Sequence, residues 1–195
     1  MTNFYNTESI FIRYAAPTIC GIKPANLFTL SESQFMTEDL QKWEANLKVQ
    51  NLCMTFFKTS SNRWMIFVYD YVWIRQIIST TLIQAYLKGK GYTDPSNTLI
   101  TLKQLFNHLQ NHKNFPHEIG LFLGYPIEDV IGFEENHGKN CKYCGYWKSY
   151  SDTSEAKTCC AKYKWCSELC KQLFDEGLSV PQIIKKYKEV AESAA

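Results

Sequence analysis

CMTFFK at Cys53–Lys58 and WMIFVY at Trp64–Tyr69 are two runs rich in aromatic and β-branched residues, with the turn Ser60–Asn62 between them. The pair predicts a β-hairpin, because such side chains fit a pleated surface and short polar residues favour a turn. Most of the remaining chain has helical apolar spacing. The sequence therefore predicts an α+β fold, a small antiparallel sheet packed by helices.

The segments around the hairpin are assigned by the spacing of their apolar residues. Ser9–Tyr14 predicts a short strand, and Thr18–Leu30 predicts a helix with Thr18 as its N-cap. Strands are also predicted at His117–Leu123 and Lys142–Tyr150. Helices are predicted from Thr37 onwards, over Tyr71–Leu87, over Thr98–His112, over Ser154–Phe174 and from Ser179 onwards.

Composition narrows the class of protein. The length of 195 residues predicts a single domain over residues 1–195, with C-terminal helices (about 153–192) packed on it. The formal net charge is only +2 and no long run of like charges occurs, which argues against a nucleic-acid partner. No apolar run is long enough to span a membrane, and the start lacks signal-peptide features. We expect a cytoplasmic protein with reduced cysteines and no membrane partner.

Cys20, His117 and Asp129 form a candidate catalytic group. A thiol enzyme needs a base near its cysteine and a third group that orients the base. His117 is predicted at the head of a strand, and Asp129, twelve residues later, can return beside it after a turn. Cys20 is predicted near a helix start, where the helix dipole lowers a thiol pKa and backbone N–H groups can bind an oxyanion.

Each member of this group has alternatives. A lone cysteine among apolar residues is commonly a buried hydrophobic residue. Glu118 and Glu128 are other candidate carboxylates, although Glu118, next to His117 on a strand, should point to the opposite face. His108 and His112 lie one helical turn apart, and we expect a solvated helix face there rather than a metal pair.

Cysteines are concentrated in the C-terminal part of the chain. A Cys-x-x-Cys pair with a second close pair would suit a tetrahedral metal site. The second set is irregular, and Cys159, Cys166 and Cys170 share a face of a predicted helix, which packing explains. We therefore expect neither a metal ion nor a cofactor. The residues concerned are Cys141, Cys144, Cys159, Cys160, Cys166 and Cys170.

Three blocks carry a resemblance to known families: Ala16–Phe28 (APTICGIKPANLF), Phe115–Phe133 (FPHEIGLFLGYPIEDVIGF) and Cys144–Tyr150 (CGYWKSY). Together they resemble a family from anaerobic bacteria catalogued as a domain of unknown function. In that family the position of Cys20 is usually a small residue, and a cysteine stands where this chain has Ala15. The order Cys, His, Asp is that of papain-like enzymes, and the run from His117 is similar to a strand of NlpC-type peptidases, with one residue inserted.

The resemblance implies a papain-like cysteine acyltransferase, similar to the transacylases of thiotemplated peptide antibiotic biosynthesis. Cys20 would take an acyl or peptidyl group from a carrier-protein thioester, His117 would move the proton, and Asp129 would orient His117. An acyl or peptidyl carrier protein and a small amine acceptor, such as a diamine, are the implied partners. The alternatives are a cysteine peptidase or amidase, with water as acceptor, and a non-catalytic binding or metal-sensing module.

Overall fold

The computed structural model describes residues 7–34, 37–59, 62–111 and 115–193. These residues have a mixed α+β architecture with a small antiparallel sheet, which confirms the predicted fold class. The chain divides into two compact units: residues 1–70 with 161–195, called unit 1, and residues 71–160, called unit 2. The single domain expected from the length stays a prediction.

Unit 1 contains the predicted hairpin. Strands β1 (Ala25–Leu30), β2 (Leu52–Lys58) and β3 (Trp64–Asp70) form an antiparallel sheet in the order β1-β3-β2. Cys53 pairs with Tyr69 and Lys58 with Trp64, so the predicted hairpin is confirmed, while residues 60–61 of its turn lie outside the described residues. The central strand β3 carries the most apolar run and is buried from Met65 to Tyr69.

The predictions before the hairpin are wrong. Ser9–Tyr14 lies within helix α1 (Thr7–Ile19), because the buried apolar positions continue at helical spacing through Ala15 and Ile19. The predicted helix Thr18–Leu30 is a loop followed by β1. Gly21 has a φ of +74° and ends α1: its N–H donates to the Thr18 carbonyl, and the N–H of Ile22 donates to the Pro17 carbonyl. This is the hydrogen-bond pattern of a glycine C-terminal cap.

The long periodic helices match the prediction closely. They are α2 (Thr37–Val49), α8 (Thr153–Asp175) and α9 (Val180–Ser193), and a short 3-10 turn at Glu32–Gln34 precedes α2. The core of unit 1 contains an aromatic pair in which the rings of Phe11 and Trp43 stack at 4.5 Å. Cys20, Cys166 and Cys170 also lie in this core.

Unit 2 is mainly helical, and its structure differs from three of the predictions. The single helix over Tyr71–Leu87 is two helices, and Thr98–His112 is a helix over its described part. The predicted strand His117–Leu123 is a turn and one helical turn, and Lys142–Tyr150 is a hairpin of two very short strands. The elements are α3 (Tyr71–Ile78), α4 (Thr81–Gly89), α5 (Thr98–Asn111), α6 (Ile119–Phe122), α7 (Ile127–Glu135), β4 (Tyr143–Cys144) and β5 (Lys148–Ser149).

The error at His117–Leu123 has a physical cause. A short continuous apolar run reads equally well as a buried strand or as a buried helical turn. All four residues of α6 are buried, and a Cβ on Gly120 would lie 2.8 Å from Val130 Cγ2 on α7. Close packing of α6 on α7 therefore decides the conformation.

None of the described helices is long and apolar enough to cross a membrane.

Gly132→Ala should destabilise the protein. A Cβ at this position would lie 2.7 Å from the Cβ of Tyr150, which is close to the backbone and cannot move aside cheaply. We expect a packing cost of about 1–3 kcal/mol, against a gain in helix propensity of about 1 kcal/mol. Urea denaturation measures the difference.

Gly89→Ala is the matched control, because Gly89 also lies in a helix but nothing surrounds its Cβ position. This variant should be neutral or slightly stabilised. Equal stability of the two variants would show that α7 does not pack on Tyr150 as described.

Candidate functional site

A cavity of about 360 Å³ in unit 2 is the candidate functional site. Its size lies within the range of small-molecule sites. It is enclosed by α6, α7 and the β4–β5 hairpin, and its lining is mostly apolar and aromatic. The lining residues are Phe115, His117, Ile119, Gly120, Leu123, Tyr125, Asp129, Val130, Phe133, Cys144, Gly145, Tyr146, Trp147 and Lys148.

Asp129 anchors the hairpin to α7. Its Oδ2 accepts a hydrogen bond from Trp147 Nε1 at 2.7 Å. Its Oδ1 accepts from the backbone N–H groups of Tyr150 and Ser151, at 2.7 and 2.8 Å, and from the hydroxyls of Ser151 and Ser149. Burial alone would raise the pKa of Asp129, but the bonds from Trp147, Tyr150 and Ser151 lower it below its ordinary value. Asp129 is therefore a buried carboxylate whose two oxygens both accept hydrogen bonds.

The aromatic wall of the cavity depends on this anchor. The ring of Trp147, held at its nitrogen by Asp129, stacks on Tyr125 at 4.8 Å with an interplanar angle of 19°. The Tyr125 hydroxyl in turn donates to the Tyr146 carbonyl at 3.3 Å. Two rings of the wall are thus fixed by polar contacts as well as by packing.

His117 lies at the mouth of the same cavity. It occupies the turn before α6, its side chain is exposed, and its ring lies 4.9 Å from that of Phe133. Asp129 lines the same cavity, so two of the three predicted site residues share one site. Among the described residues, the hydrogen bonds of Asp129 go to the hairpin and not to His117. The structure therefore gives Asp129 the role of shaping the wall.

Cys144 is a functional candidate that sequence reasoning missed. It is an exposed, free thiol on β4, and it lines the cavity together with His117. Lys148 is its cross-strand partner on β5 and also lines the cavity. The sequence predicted one aromatic strand here. The tripeptide Gly145-Tyr146-Trp147 after Cys144 was the signal that the strand turns back and exposes the thiol.

Cys20 is placed differently from the expectation. It belongs to unit 1, is 4% exposed and follows the C-terminal end of α1 instead of preceding a helix. Its N–H donates to the Ala16 carbonyl, and its Sγ lies 3.5 Å from that of Cys170. Hydrogen bonds with the thiols of Cys166 and Cys170, together with burial, raise the pKa of Cys20. The expected effect of a helix N-terminus was a lowered pKa, so this part of the prediction is wrong.

A second polar group in unit 2 is buried and structural. Glu118 is 6% exposed, and its Oε1 contacts His108 Nδ1 at 3.0 Å and accepts from the Tyr92 hydroxyl at 3.2 Å. Burial, with the charge of Glu118, raises the pKa of Tyr92. The expectation that His108 lies on a solvated face is wrong, and His112 lies outside the described residues. Glu118 is buried and His117 is exposed, but the strand on which their opposite orientation was predicted is absent from these described residues.

The described features define a small α+β protein with an aromatic cavity of small-molecule size. The chain belongs to the family described as "Protein of unknown function (DUF3793)", whose sequence profile matches residues 11–184. This confirms the resemblance to a family catalogued as a domain of unknown function. No curated protein and no solved structure matches the chain. The function therefore has to be argued from the site.

Asp129→Asn should lower the free energy of unfolding by about 1.5–3 kcal/mol, the range for hydrogen bonds to a charged group. An amide would also bring N–H donors against the N–H groups that now donate to the carboxylate. Because the folded pKa of Asp129 is lowered, its contribution is complete above about pH 4 to 5 and is lost as the pH falls through the lowered pKa. The variant should therefore lose less stability on acidification.

Urea denaturation between pH 3 and pH 7 measures both effects. Glu128→Gln is the matched control, because Glu128 is the exposed neighbour on α7 and should change stability by less than about 0.5 kcal/mol. An unchanged acid dependence in Asp129→Asn would contradict the assigned role.

Proposed function

We propose that this protein catalyses cysteine-dependent acyl transfer at the unit 2 cavity, with Cys144 as nucleophile and His117 as general base. One observation carries the proposal: an exposed thiol and an exposed imidazole line the same apolar cavity. Thiol and imidazole together are the minimal pair for nucleophilic catalysis at an acyl group. Asp129 contributes by holding the wall that shapes the cavity.

The reaction has two halves that balance. His117 takes the proton of the Cys144 thiol, the sulfur attacks the carbonyl carbon of a thioester, and the donor thiol leaves with that proton. An amine then attacks the same carbon, the bond to the Cys144 sulfur breaks, and His117 passes the amine proton to the sulfur. The product is an amide, and the protein thiol is restored.

Lys148 supports the developing negative charge. It faces Cys144 across the hairpin, where directly opposite Cβ atoms lie about 4.5–5.5 Å apart. Its ammonium donates to the Gly138 carbonyl at 2.7 Å and lies 5.9 Å from the centre of the Phe133 ring, which also lines the cavity. A cation held near the reacting carbonyl stabilises the oxyanion of the tetrahedral intermediate.

The donor and acceptor follow from the cavity and from the resemblance. Aromatic and apolar walls suit an acyl chain and disfavour water, which supports an amine as the acceptor. A carrier-protein thioester as donor, and a papain-like relationship, rest on the sequence blocks described above, because the papain-like order Cys, His, Asp holds only with Cys20 as nucleophile. Water as acceptor would make the protein a cysteine peptidase or amidase acting at the same cavity.

The nucleophile differs from the sequence-based hypothesis. Cys144 is favoured because its thiol is exposed in the cavity that contains His117, whereas Cys20 is 4% exposed among other thiols. Cys20 with His117 and Asp129 stays a prediction. The experiment below distinguishes the two cysteines directly.

Incubation with an acyl-N-acetylcysteamine thioester should produce one acyl adduct by intact mass, and peptide mapping should place it on Cys144. The adduct should be absent from Cys144→Ala and retained in the matched control Cys141→Ala, because Cys141 lies three residues earlier outside the cavity lining. His117→Gln should slow adduct formation about 10²- to 10⁴-fold, since it removes the base.

Addition of a diamine then separates the acceptors. Release of the acyl group as an amide supports transfer, and release as a free acid only would assign the cavity to hydrolysis. An adduct on Cys20 would overturn the choice of nucleophile in favour of the sequence-based triad. Absence of an adduct on every cysteine, with folded protein confirmed by circular dichroism, would overturn acyl transfer.

A further inference from the structure

Three buried thiols meet in the core of unit 1. The Sγ atoms of Cys20, Cys166 and Cys170 all lie within 4.8 Å of one another, and those of Cys20 and Cys170 are 3.5 Å apart. The three residues are 4%, 0% and 0% exposed. Cys166 and Cys170 are one turn apart on α8, and Cys20 follows α1. Two separate segments thus bring thiols to one point.

The spacing suits a single tetrahedral ion. With a zinc–sulfur distance of about 2.3 Å and tetrahedral angles, ligand sulfurs lie about 3.8 Å apart. The Cys20–Cys170 separation of 3.5 Å is close to this value, and the other two separations are no more than 4.8 Å. Packing alone needs no such convergence, since a cysteine that acts as a small hydrophobic residue packs equally well against carbon.

A buried hydroxyl lies beside the thiols. The Tyr187 oxygen is buried, and its side chain contacts Cys166 in the core of unit 1. A protonated hydroxyl at this place can donate to a metal-bound thiolate, and such bonds to ligand atoms are a regular part of metal sites.

Charge decides between metal ions. Three thiolates with a divalent ion carry a net charge of −1, whereas the same thiolates with monovalent copper carry −2. Lys23 is 3% exposed, and its ammonium lies 5.7 Å from the centre of the Tyr163 ring. Tyr163 precedes Cys166 by three residues on α8, so Lys23 lies against the helix that carries two of the thiols. A smaller net charge is less costly to bury, which favours the divalent ion.

We propose that Cys20, Cys166 and Cys170 bind one Zn²⁺ ion through three thiolates, with a fourth position for water or an external ligand. Thiolate ligands select zinc among the common divalent ions of cells by softness and geometry. Bond formation releases the protons that the thiols carry in the free protein. The site links the end of α1 to α8 and gives unit 1 a metal-dependent stability.

Metal titration of the full chain tests this. Reduced protein, stripped with a chelator, should take up one equivalent of Zn²⁺ in competition with a chromogenic chelator, and its thermal midpoint should rise. Co²⁺ should give two sets of absorption bands: sulfur-to-metal charge-transfer bands in the near ultraviolet, and the visible bands of a tetrahedral ion. Cys20→Ser, Cys166→Ser and Cys170→Ser should each weaken zinc binding at least tenfold, whereas Cys53→Ser, a half-buried cysteine of the same unit, should bind as wild type.

If a core variant does not fold, metal binding by the wild-type protein still tests the proposal. Failure of the wild-type protein to take up Zn²⁺ or Co²⁺ in competition with the chelator would overturn it. Isolation of a Cys20–Cys170 disulfide that persists in reductant would also overturn it. Acyl adducts on Cys144 are measured on protein from which metal has been removed with a chelator. Acyl transfer and zinc binding are thus tested separately, and either proposal can fail without the other.

Discussion

The unit 2 site depends on the hydrogen bonds that the carboxylate of Asp129 accepts. A buried charge is costly unless its oxygens are satisfied, and here a 2% exposed carboxylate accepts bonds from Trp147, Ser149, Tyr150 and Ser151. These donors belong to a hairpin with very short strands, in which only two residue pairs join β4 to β5. The hairpin therefore takes its position from α7 through Asp129, and the shape of the cavity follows.

Burial separates Cys144 from the cluster of Cys20, Cys166 and Cys170. Cys144 is exposed at a cavity with an imidazole and a cross-strand lysine, where a substrate can reach sulfur. Cys20, Cys166 and Cys170 are enclosed in a core, where a small ion can bind but an acyl donor has no access. The two proposals therefore use different sulfurs in different units, and neither depends on the other.

Sequence reasoning succeeded where a segment is long and regularly spaced. The hairpin Leu52–Asp70 and the helices α5, α8 and α9 were read correctly because their apolar periodicity extends over many residues. It failed at Ser9–Tyr14 and His117–Leu123, where a short apolar run fits either a strand or a helical turn. At His117–Leu123 packing against α7 decides the conformation, and that neighbour is not visible in the local pattern. At Ser9–Tyr14 the helical spacing is recognised only when the run is extended through Ala15 and Ile19.

The amino-acid sequence by itself determined the α+β class, the family, and the candidate status of His117 and Asp129, because spacing and motif are local properties. Only the tertiary structure decided what these residues do: Asp129 serves the hairpin, and Cys144 shares the cavity of His117. It also decided the surroundings of Cys20, since a contact between residues 20 and 170 has no local signature. The accessibility of a thiol, on which both proposals depend, is a property of the folded surface alone.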